Sequence, residues 1–296
     1  MPRGMRVSRH EPASCKPPSL SLRPFPHPAS QGIKVTNSQA ITIALAQLPV
    51  TKAAVNDNLR THLAYIERAA ALGANVVAFP ELSLTGYELA LLSQLAMPRD
   101  DAAFATLIAA SVANNTVVIA GCPLHNPHGK PYIAAVICFP NGEHSFYLKQ
   151  HLHEGEEVYC APGHESGLIN VNGTRIALAV CADFTHQRHA ATAAAQQADV
   201  YLASALISPG GYAKDAELLA TIAKHHQLPV LLANHVSTTG GWLTCGNSGG
   251  WNAAGELTVK ANGTQPSLVL CHIHHGVLSG GVEVMTHLPF KVAITD

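Results

Sequence analysis

The sequence is poor in charge and has no excess of either sign. Only 12% of the 296 residues are charged, against about 25% in a typical soluble domain, and the formal net charge is -1 at pH 7. Proteins that bind nucleic acid or an anionic membrane surface usually carry an excess of basic charge, so we expect neither partner. Because few charges are available to cover the surface, we expect part of it to be buried in a homodimer or higher homo-oligomer.

The sequence also lacks long hydrophobic runs and closely spaced cysteines. No apolar run approaches the roughly 18 residues of a membrane-spanning helix, and no secretory signal is recognisable. The seven cysteines are scattered and form no C-x-x-C pair, which disfavours a disulfide framework. We therefore expect a soluble protein of the reducing cytoplasm.

Residues 1–39 have no hydrophobic periodicity and are rich in proline, serine and arginine. They contain six Lys or Arg residues and a single acidic residue, Glu11. Such a segment cannot bury enough apolar area to offset its ordering entropy. We predict a disordered N-terminal extension followed by one domain over 40–296. An organellar transit peptide is the alternative for 1–39, although its prolines disfavour an amphipathic helix.

From residue 41 onward, short apolar runs alternate with segments of helical periodicity. The first helix is predicted to begin near Asn56 or Asp57 as the cap and to end at Gly73. The sequence thus describes two β-α-β-α-β-β halves, which predict an α/β domain with two sheets and helices packed outside them. The apolar stripe of that first helix is Leu59, Leu63, Ile66 and Ala70. The predicted strands are 41–48, 75–81, 116–122, 131–139, 144–149, 175–180, 199–206, 229–235, 246–252, 256–260 and 267–274. The other predicted helices are 101–113, 187–197 and 213–226.

Three polar residues stand where predicted strands end: Glu81, Lys149 and Cys181. The carboxyl ends of strands in such sheets converge on the ligand crevice, so the three side chains could meet. A base, a cation and a thiol form a complete set for acyl transfer. Each residue alone also has a structural interpretation: a buried small hydrophobe for the cysteine, a turn or cap residue for the glutamate and a solvated edge charge for the lysine.

Three segments together resemble a known family. FPELSLTGY (79–87), YLKQHLHEGEEVYCAPG (147–163) and VCAD (180–183) are similar to the three signature blocks of the nitrilase superfamily of carbon-nitrogen hydrolases. The resemblance extends over about residues 41–275, including LPVLLANH (228–235) and GNSGGWNAAGEL (246–257). It implies a four-layer α-β-β-α sandwich that dimerises through its helices and needs no cofactor.

The resemblance implies a catalytic triad in which Glu81 is the general base, Lys149 the cation and Cys181 the nucleophile. We hypothesise that the thiol attacks an amide carbonyl and that the Lys149 ammonium and the backbone N-H of Ala182 hold the oxyanion. A second glutamate that holds the lysine and orients substrate is also implied. Glu156 fits this position best, and the other two acidic residues of the loop, Glu154 and Glu157, are alternatives.

The most direct interpretation is a hydrolase that converts a small non-peptide amide into a carboxylic acid and ammonia or an amine through a Cys181 thioester. Alternatives are a nitrilase acting on a nitrile, an amide acyltransferase and a non-catalytic scaffold. The residues at 182–186 and 203–206 differ from those frequent in the family near the substrate pocket, so the resemblance implies no particular substrate.

The histidines do not form a recognisable metal site. His272 and His274 would share one face of a strand, but no further ligands follow at zinc-site spacing. We interpret them as edge or interface residues and expect no metal. His151, inside the lysine block, is expected to brace its loop.

Overall fold

The computed structural model describes residues 40–286. Within this range two β-sheets pack face to face, and helices cover their outer faces. The predicted α/β class and the four-layer α-β-β-α sandwich are confirmed. The expected extension over 1–39 and the last ten residues of the expected domain lie outside the described range. Within that range no helix is long and apolar enough to cross a membrane.

The first half of the fold contains five of the seven strands of one sheet and the helices on its outer face. Its elements are β1 (Ile41–Gln47), α1 (Val55–Ala71), β2 (Val76–Ala78), a helical turn at Leu89–Leu91 that leads into α2 (Leu92–Leu95), α3 (Ala102–Asn114), β3 (Val117–Leu124), β4 (Tyr132–Cys138) and β5 (His144–Leu148).

The second half repeats the alternation and ends in a series of short strands. Its elements are β6 (Leu168–Val171), β7 (Thr174–Val180), α4 (Gln187–Ala195), β8 (Val200–Ala205), α5 (Pro209–His226), β9 (Val230–Asn234), β10 (Thr238–Thr239), β11 (Trp242–Leu243), β12 (Gly249–Trp251), β13 (Leu257–Lys260), β14 (Ser267–His274) and β15 (Val277–Val284).

Both sheets are mixed and have parallel strands at their centres. In the described residues the first sheet has the order β15-β14-β1-β2-β3-β4-β5 and the second has the order β13-β12-β9-β8-β7-β6. β1, β2 and β3 are parallel, as are β7, β8 and β9. The carboxyl ends of β2 and β7 carry two of the three predicted catalytic residues.

The unbroken apolar runs of the central strands reflect burial on both faces. In β7, Leu178 and Val180 lie in the core between the two sheets, whereas Ala177 and Ala179 belong to the cluster under α4 and α5. Branched side chains therefore fill the space between the sheets, and alanines on the outer face allow the helices to approach closely. This explains why these strands lack the apolar-polar alternation of a half-exposed strand.

The first helix departs from its sequence prediction. α1 begins at Val55 after Ala54, which supplies no side-chain cap, so the predicted cap at Asn56 or Asp57 is wrong. Asn58 instead binds the main chain of Thr51, accepting from its N-H and donating to its carbonyl, both at 2.8 Å. The buried face also departs from the predicted stripe and includes polar residues whose hydrogen bonds are satisfied inside the fold. Its buried residues are Asn58, Thr61, His62, Tyr65, Ile66 and Ala69.

The sequence pattern also missed several elements. β6, β15 and the β10–β11 hairpin were not predicted, and β14 returns to the first sheet, where it pairs antiparallel with both β1 and β15. α5 starts at Pro209, four residues before the predicted start, because a proline suits the first turn of a helix. The two glycines that follow disguise this first turn in the sequence.

Candidate active site

The three predicted catalytic residues come together between the sheets. Glu81 lies in the turn after β2, Lys149 directly follows β5, and Cys181 directly follows β7. The Lys149 Nζ donates to Glu81 Oε1 at 2.7 Å, and both side chains are fully buried. The Cys181 thiol is near enough to Glu81 for the two groups to interact electrostatically. The first sheet thus contributes the carboxylate and the ammonium group, and the second sheet contributes the thiol.

A second carboxylate, Glu156, binds the same ammonium group. Its Oε1 accepts from Lys149 Nζ at 2.7 Å and from the Tyr87 hydroxyl at 2.6 Å. Its Oε2 accepts from the backbone N-H of His153 at 2.8 Å. Glu156 is buried, whereas Glu157 is exposed and accepts from the N-H of Gly155. Of the acidic residues in this loop, Glu156 is the one that reaches Lys149.

Burial and mutual attraction set the protonation of this cluster. Burial alone would lower the pKa of Lys149, but Glu81, Cys181 and Glu156 outweigh it, so the pKa lies above its usual value. Burial raises the pKa of Glu81 to about 7; Lys149 opposes this rise and Glu156 adds to it. Lys149 therefore stays charged at neutral pH, whereas Glu81 gains or loses its proton close to neutral pH.

The Cys181 thiol is protonated in the resting site. Burial and the negative charge of Glu81 raise the pKa of Cys181 well above its usual value, and Lys149 only partly offsets them. The second oxygen of Glu81, Oε2, is buried and has no hydrogen-bond partner within residues 40–286. One carboxylate oxygen is thus fixed by the lysine, and the other is free to accept a proton.

The backbone at Cys181 is unusual. Its φ of 45° lies in the left-handed region, which is unfavourable for a residue other than glycine. Cys181, a residue of intermediate exposure, begins a helical turn, Cys181–Thr185, and its thiol approaches the carbonyl oxygen of Leu206 at 3.8 Å. The first N-H groups of a helical turn have no acceptor inside the turn. Ala182 occupies this position next to the thiol.

The turn that carries Glu81 is held by a close backbone approach. Leu82 has a φ of 50°, and Leu84 donates its N-H to the carbonyl of Gly121 at 3.0 Å. A Cβ atom at Gly121 would lie 2.3 Å from the nitrogen of Leu82 and 2.4 Å from the carbonyl oxygen of Pro80. Only glycine therefore fits at this position of β3.

Asp183 ties the lysine segment to the cysteine segment, and the sequence reasoning assigned it no role. Its Oδ2 accepts from the N-H of Val180 at 2.9 Å and from the Tyr147 hydroxyl at 2.7 Å. Its Oδ1 accepts from the N-H groups of Gln150 at 3.0 Å and His151 at 2.8 Å. The available signal was an acidic residue inside an otherwise apolar block, which does not reveal the main-chain groups that it binds.

Two histidines extend this network. The ring of His189 is buried between the hydroxyls of Tyr147 and Tyr201, with an N···O distance of 2.8 Å to each. His151 approaches Asp183 with its ring and stacks on His186 at a centroid distance of 4.0 Å. This contact agrees with the expected bracing role of His151.

His272 and His274 lie on β14, and no metal-ligand cluster forms around them within residues 40–286. His272 and His274 are exposed on β14, and the ring of His272 lies 3.0 Å from the Thr42 hydroxyl. Over the described range no group of three or more His, Cys, Asp or Glu side chains is arranged to hold a metal ion.

The fold and the cluster define an α/β enzyme whose polar residues meet where strands of two packed sheets end. A family model described as carbon-nitrogen hydrolase matches residues 42–277. The chain therefore belongs to the carbon-nitrogen hydrolase family, and the resemblance to the nitrilase superfamily is confirmed. A comparison with curated proteins finds no match.

Several solved structures share the fold at low sequence identity. One is XC1258 from Xanthomonas campestris, a CN-hydrolase superfamily protein with an arsenic adduct in its active site. It has 21% identity and a TM-score of 0.75, and the match covers 80% of this chain and 91% of that one. Another is the amidase from Nesterenkonia sp. AN1. Its cysteine-to-alanine variant in complex with butyramide has 23% identity and a TM-score of 0.72, and the match covers 79% and 90% of the two chains. A glutamate-to-glutamine variant of that amidase, with acrylamide added at the active-site cysteine, has 24% identity and a TM-score of 0.73, with coverage of 78% and 92%.

Proposed function

We propose that the protein hydrolyses a small non-peptide amide to a carboxylic acid and ammonia or an amine through a thioester on Cys181. The observation that carries this proposal is the buried Lys149 ammonium, 2.7 Å from both Glu81 and Glu156, beside a protonated thiol. The solved amidase that binds butyramide supports an amide as the substrate class.

In the first half-reaction Cys181 Sγ forms a bond to the amide carbonyl carbon. The thiol proton passes to Glu81, whose Oε2 has no other partner in the described residues. The carbonyl oxygen becomes an oxyanion that the Lys149 ammonium and the N-H of Ala182 stabilise. Glu81 then returns the proton to the amide nitrogen, the C-N bond breaks, and ammonia or an amine leaves.

In the second half-reaction water attacks the thioester carbonyl and passes a proton to Glu81. The same ammonium and N-H groups stabilise the second oxyanion. When this intermediate collapses, the C-S bond breaks and Glu81 returns the proton to the Cys181 sulfur. The carboxylic acid is released, and the thiol, the carboxylate and the ammonium group regain their initial states.

Glu156 positions Lys149 in this scheme. It accepts from Lys149 while the Tyr87 hydroxyl and the His153 N-H fix its own carboxylate. Because the lysine lies between two carboxylates, it keeps its charge when Glu81 is transiently protonated. The resting charge on Lys149 is therefore available at each oxyanion step.

The cellular setting is also a proposal. All six cysteines in residues 40–286 are free thiols, which supports a reducing cytoplasm. The low share of charged residues supports a homodimer or higher homo-oligomer. We also propose that the domain spans residues 40–296 and follows an N-terminal extension over 1–39.

The decisive experiment compares wild type with Cys181→Ala on a panel of small aliphatic amides, N-carbamoyl compounds and nitriles. Wild type is expected to release acid and ammonia from an amide, and rapid acid quenching followed by intact-mass measurement is expected to detect an acyl adduct on Cys181. Cys181→Ala should lose both. Cys138→Ala, which removes a buried thiol at the end of β4, is the matched control and should retain both the turnover and the acyl adduct on Cys181.

Each alternative gives a different result in the same experiment. Turnover of nitriles but not amides would establish a nitrilase, and product formation only after an amine is added would establish an acyltransferase. Absence of an adduct and of turnover across the panel would favour a scaffold. Wild-type turnover by Cys181→Ala would refute the mechanism.

A further inference from the structure

His235 lies immediately after β9, in the second sheet, and its side chain reaches the first. Its ring is fully buried, and Nε2 lies 2.7 Å from the main-chain carbonyl oxygen of Glu81. A carbonyl oxygen can only accept, so Nε2 carries the hydrogen. The tautomer of this histidine is therefore fixed by the backbone of Glu81.

The other ring nitrogen keeps His235 neutral. Its Nδ1 is buried and has no hydrogen-bond partner in the described part of the chain, so a proton there would create an unpaired buried cation. Burial lowers the pKa of His235 to about 4, and the hydrogen bond to Glu81 only partly opposes this. The neighbouring ring of His62 is also buried, and its pKa is also lowered to about 4. Neither ring gains a charge when Glu81 titrates.

The main chain that His235 binds determines where the Glu81 carboxylate lies. The next residue, Leu82, has a positive φ, so this peptide is held in an unfavourable conformation. The backbone at Gly121 packs closely against the same turn, so that a Cβ atom there would lie 2.8 Å from the carbonyl carbon of Glu81. A rotation of the peptide between Glu81 and Leu82 would displace the carboxylate from Lys149, which it contacts at 2.7 Å.

We propose that His235 is a positioning residue for the general base: its Nε2-H fixes the Glu81 carbonyl and thereby aligns the carboxylate with Lys149 and Cys181. The proposal rests on the proposed role of Glu81. His235 contacts the reacting groups only through the Glu81 backbone. Its loss is therefore expected to slow the chemical step without changing substrate binding.

The matched pair His235→Gln and His235→Asn tests this proposal. The amide nitrogen of glutamine is as many bonds from Cα as Nε2 of histidine, so it can replace the donor to Glu81. The amide of asparagine corresponds to Nδ1, which donates to nothing in the described structure. His235→Gln should stay within a few-fold of the wild-type kcat, whereas His235→Asn should lose about 10- to 100-fold with KM nearly unchanged.

The pH profile separates positioning from general destabilisation. Lys149 lowers the pKa of Glu81, so a carboxylate that loses this contact must titrate at a higher pH. The acid limb of the kcat/KM profile should therefore shift to higher pH in His235→Asn and stay at the wild-type pH in His235→Gln. A purely structural role would reduce the folded fraction without moving the limb.

A second readout does not depend on the substrate. The rate at which iodoacetamide alkylates Cys181, followed by peptide mass mapping, measures removal of the thiol proton whether or not amides are the substrate. It should fall in His235→Asn and recover in His235→Gln. If wild type hydrolyses no amide but this pattern holds, the proposed function fails and the positioning role stands.

The proposal is overturned if Cys181 of His235→Asn is alkylated at the wild-type rate and the acid limb of its kcat/KM profile stays at the wild-type pH. It is also overturned if His235→Gln is as impaired as His235→Asn. His128→Asn, at an exposed loop position, is the control for loss of a histidine. Should His235→Asn not fold, nitrogen NMR of histidine-labelled wild type decides instead. A neutral Nε2-protonated ring from pH 6 to 9 supports the proposal, and an Nδ1-protonated or titrating ring refutes it.

Discussion

At the scale of single residues, the site contains more negative than positive charge when both carboxylates are ionised. Lys149 makes two ion pairs, with Glu81 and Glu156, in a place from which water is largely excluded. Protonation of one carboxylate relieves this imbalance. The two glutamates nevertheless differ, because Glu156 is held by Tyr87 and a backbone N-H while one oxygen of Glu81 is unpartnered in residues 40–286. Glu81 is therefore the carboxylate suited to exchange protons.

The pH dependence of the reaction should report Glu81 directly. Only its ionised form accepts the thiol proton, and its pKa is raised to about 7, so kcat/KM should rise through about pH 7 and level off above it. Below the limb the loss should approach tenfold for each pH unit. Because the pKa of Lys149 lies above its usual value, the lysine should cause no loss up to pH 9. Initial rates from pH 5 to 9 measure this profile, and a flat profile or one that falls with pH would contradict the assignment.

The sequence allowed some of these residues to be predicted. Glu81, Lys149 and Cys181 could be proposed because each interrupts the end of an apolar run, and the family resemblance favoured Glu156 while leaving Glu154 and Glu157 as alternatives. Asp183 and His235 could not, because they act by binding main-chain groups far away in sequence. Local spacing carries no information about which carbonyl or N-H a buried polar side chain will reach.

At the scale of elements, two of the proposed catalytic residues, Glu81 and Cys181, lie on turns with unusual backbone geometry. Cys181 and Leu82 both have positive φ angles, and the turn around Glu81 fits against β3 only because position 121 is glycine. The neighbouring strands maintain these strained turns. Precision at the site therefore depends on residues that carry no functional group.

Gly121→Ala should damage catalysis from a position that touches no substrate. The added methyl group would lie 2.3 Å from the Leu82 nitrogen and 2.4 Å from the Pro80 carbonyl oxygen, so the turn with Glu81 must move. We expect a loss of about 1–3 kcal/mol in the free energy of unfolding, as for other overpacked cores. We also expect a drop in kcat of at least tenfold, following the displacement of the carboxylate.

Thermal unfolding and steady-state kinetics measure these two effects. Gly129→Ala is the matched control, because a Cβ atom there would meet only the flexible end of Asn126 at 3.8 Å. It should match wild type in both measurements. Wild-type kcat for Gly121→Ala would show that the close approach does not position Glu81.

Strands were predictable where burial on both faces leaves a continuous apolar run in the sequence. Central strands such as β7 could be located from continuous apolar runs, since both of their faces are covered. The start of α1 could not be predicted from a capping residue, because the helix begins without a side-chain cap. The nearby Asn58 instead accepts a hydrogen bond from the Thr51 N-H. β15 was missed because exposed and glycine positions interrupt its pattern.

At the scale of the whole molecule, the site exists only where the two sheets meet. Glu81 and Lys149 come from one sheet and Cys181 from the other, so neither half contains the three groups. Two sheets with helices outside them could be predicted from the two repeated halves, and the four-layer sandwich was implied by the family resemblance. The return of β14 to the first sheet could not, because a strand pattern does not identify its partner.

Self-association is the whole-molecule prediction. The chain has few charges and exposes large apolar side chains, including Trp242 and Val277, which are 57% and 69% exposed. We expect size-exclusion chromatography with light scattering to give at least twice the 31.1 kDa of one chain at micromolar concentrations. A single species of 31.1 kDa at micromolar concentrations would refute self-association.

The pairing of β1 with β14 has a consequence for biosynthesis. One edge of β1 (Ile41–Gln47) binds β2, but its other edge is completed only by Ser267–His274. During translation an apolar strand made near the beginning of the domain therefore keeps an open hydrogen-bonding edge until more than two hundred later residues have emerged. Such an edge can pair with other chains. The nascent chain should thus depend on chaperones until β14 leaves the ribosome.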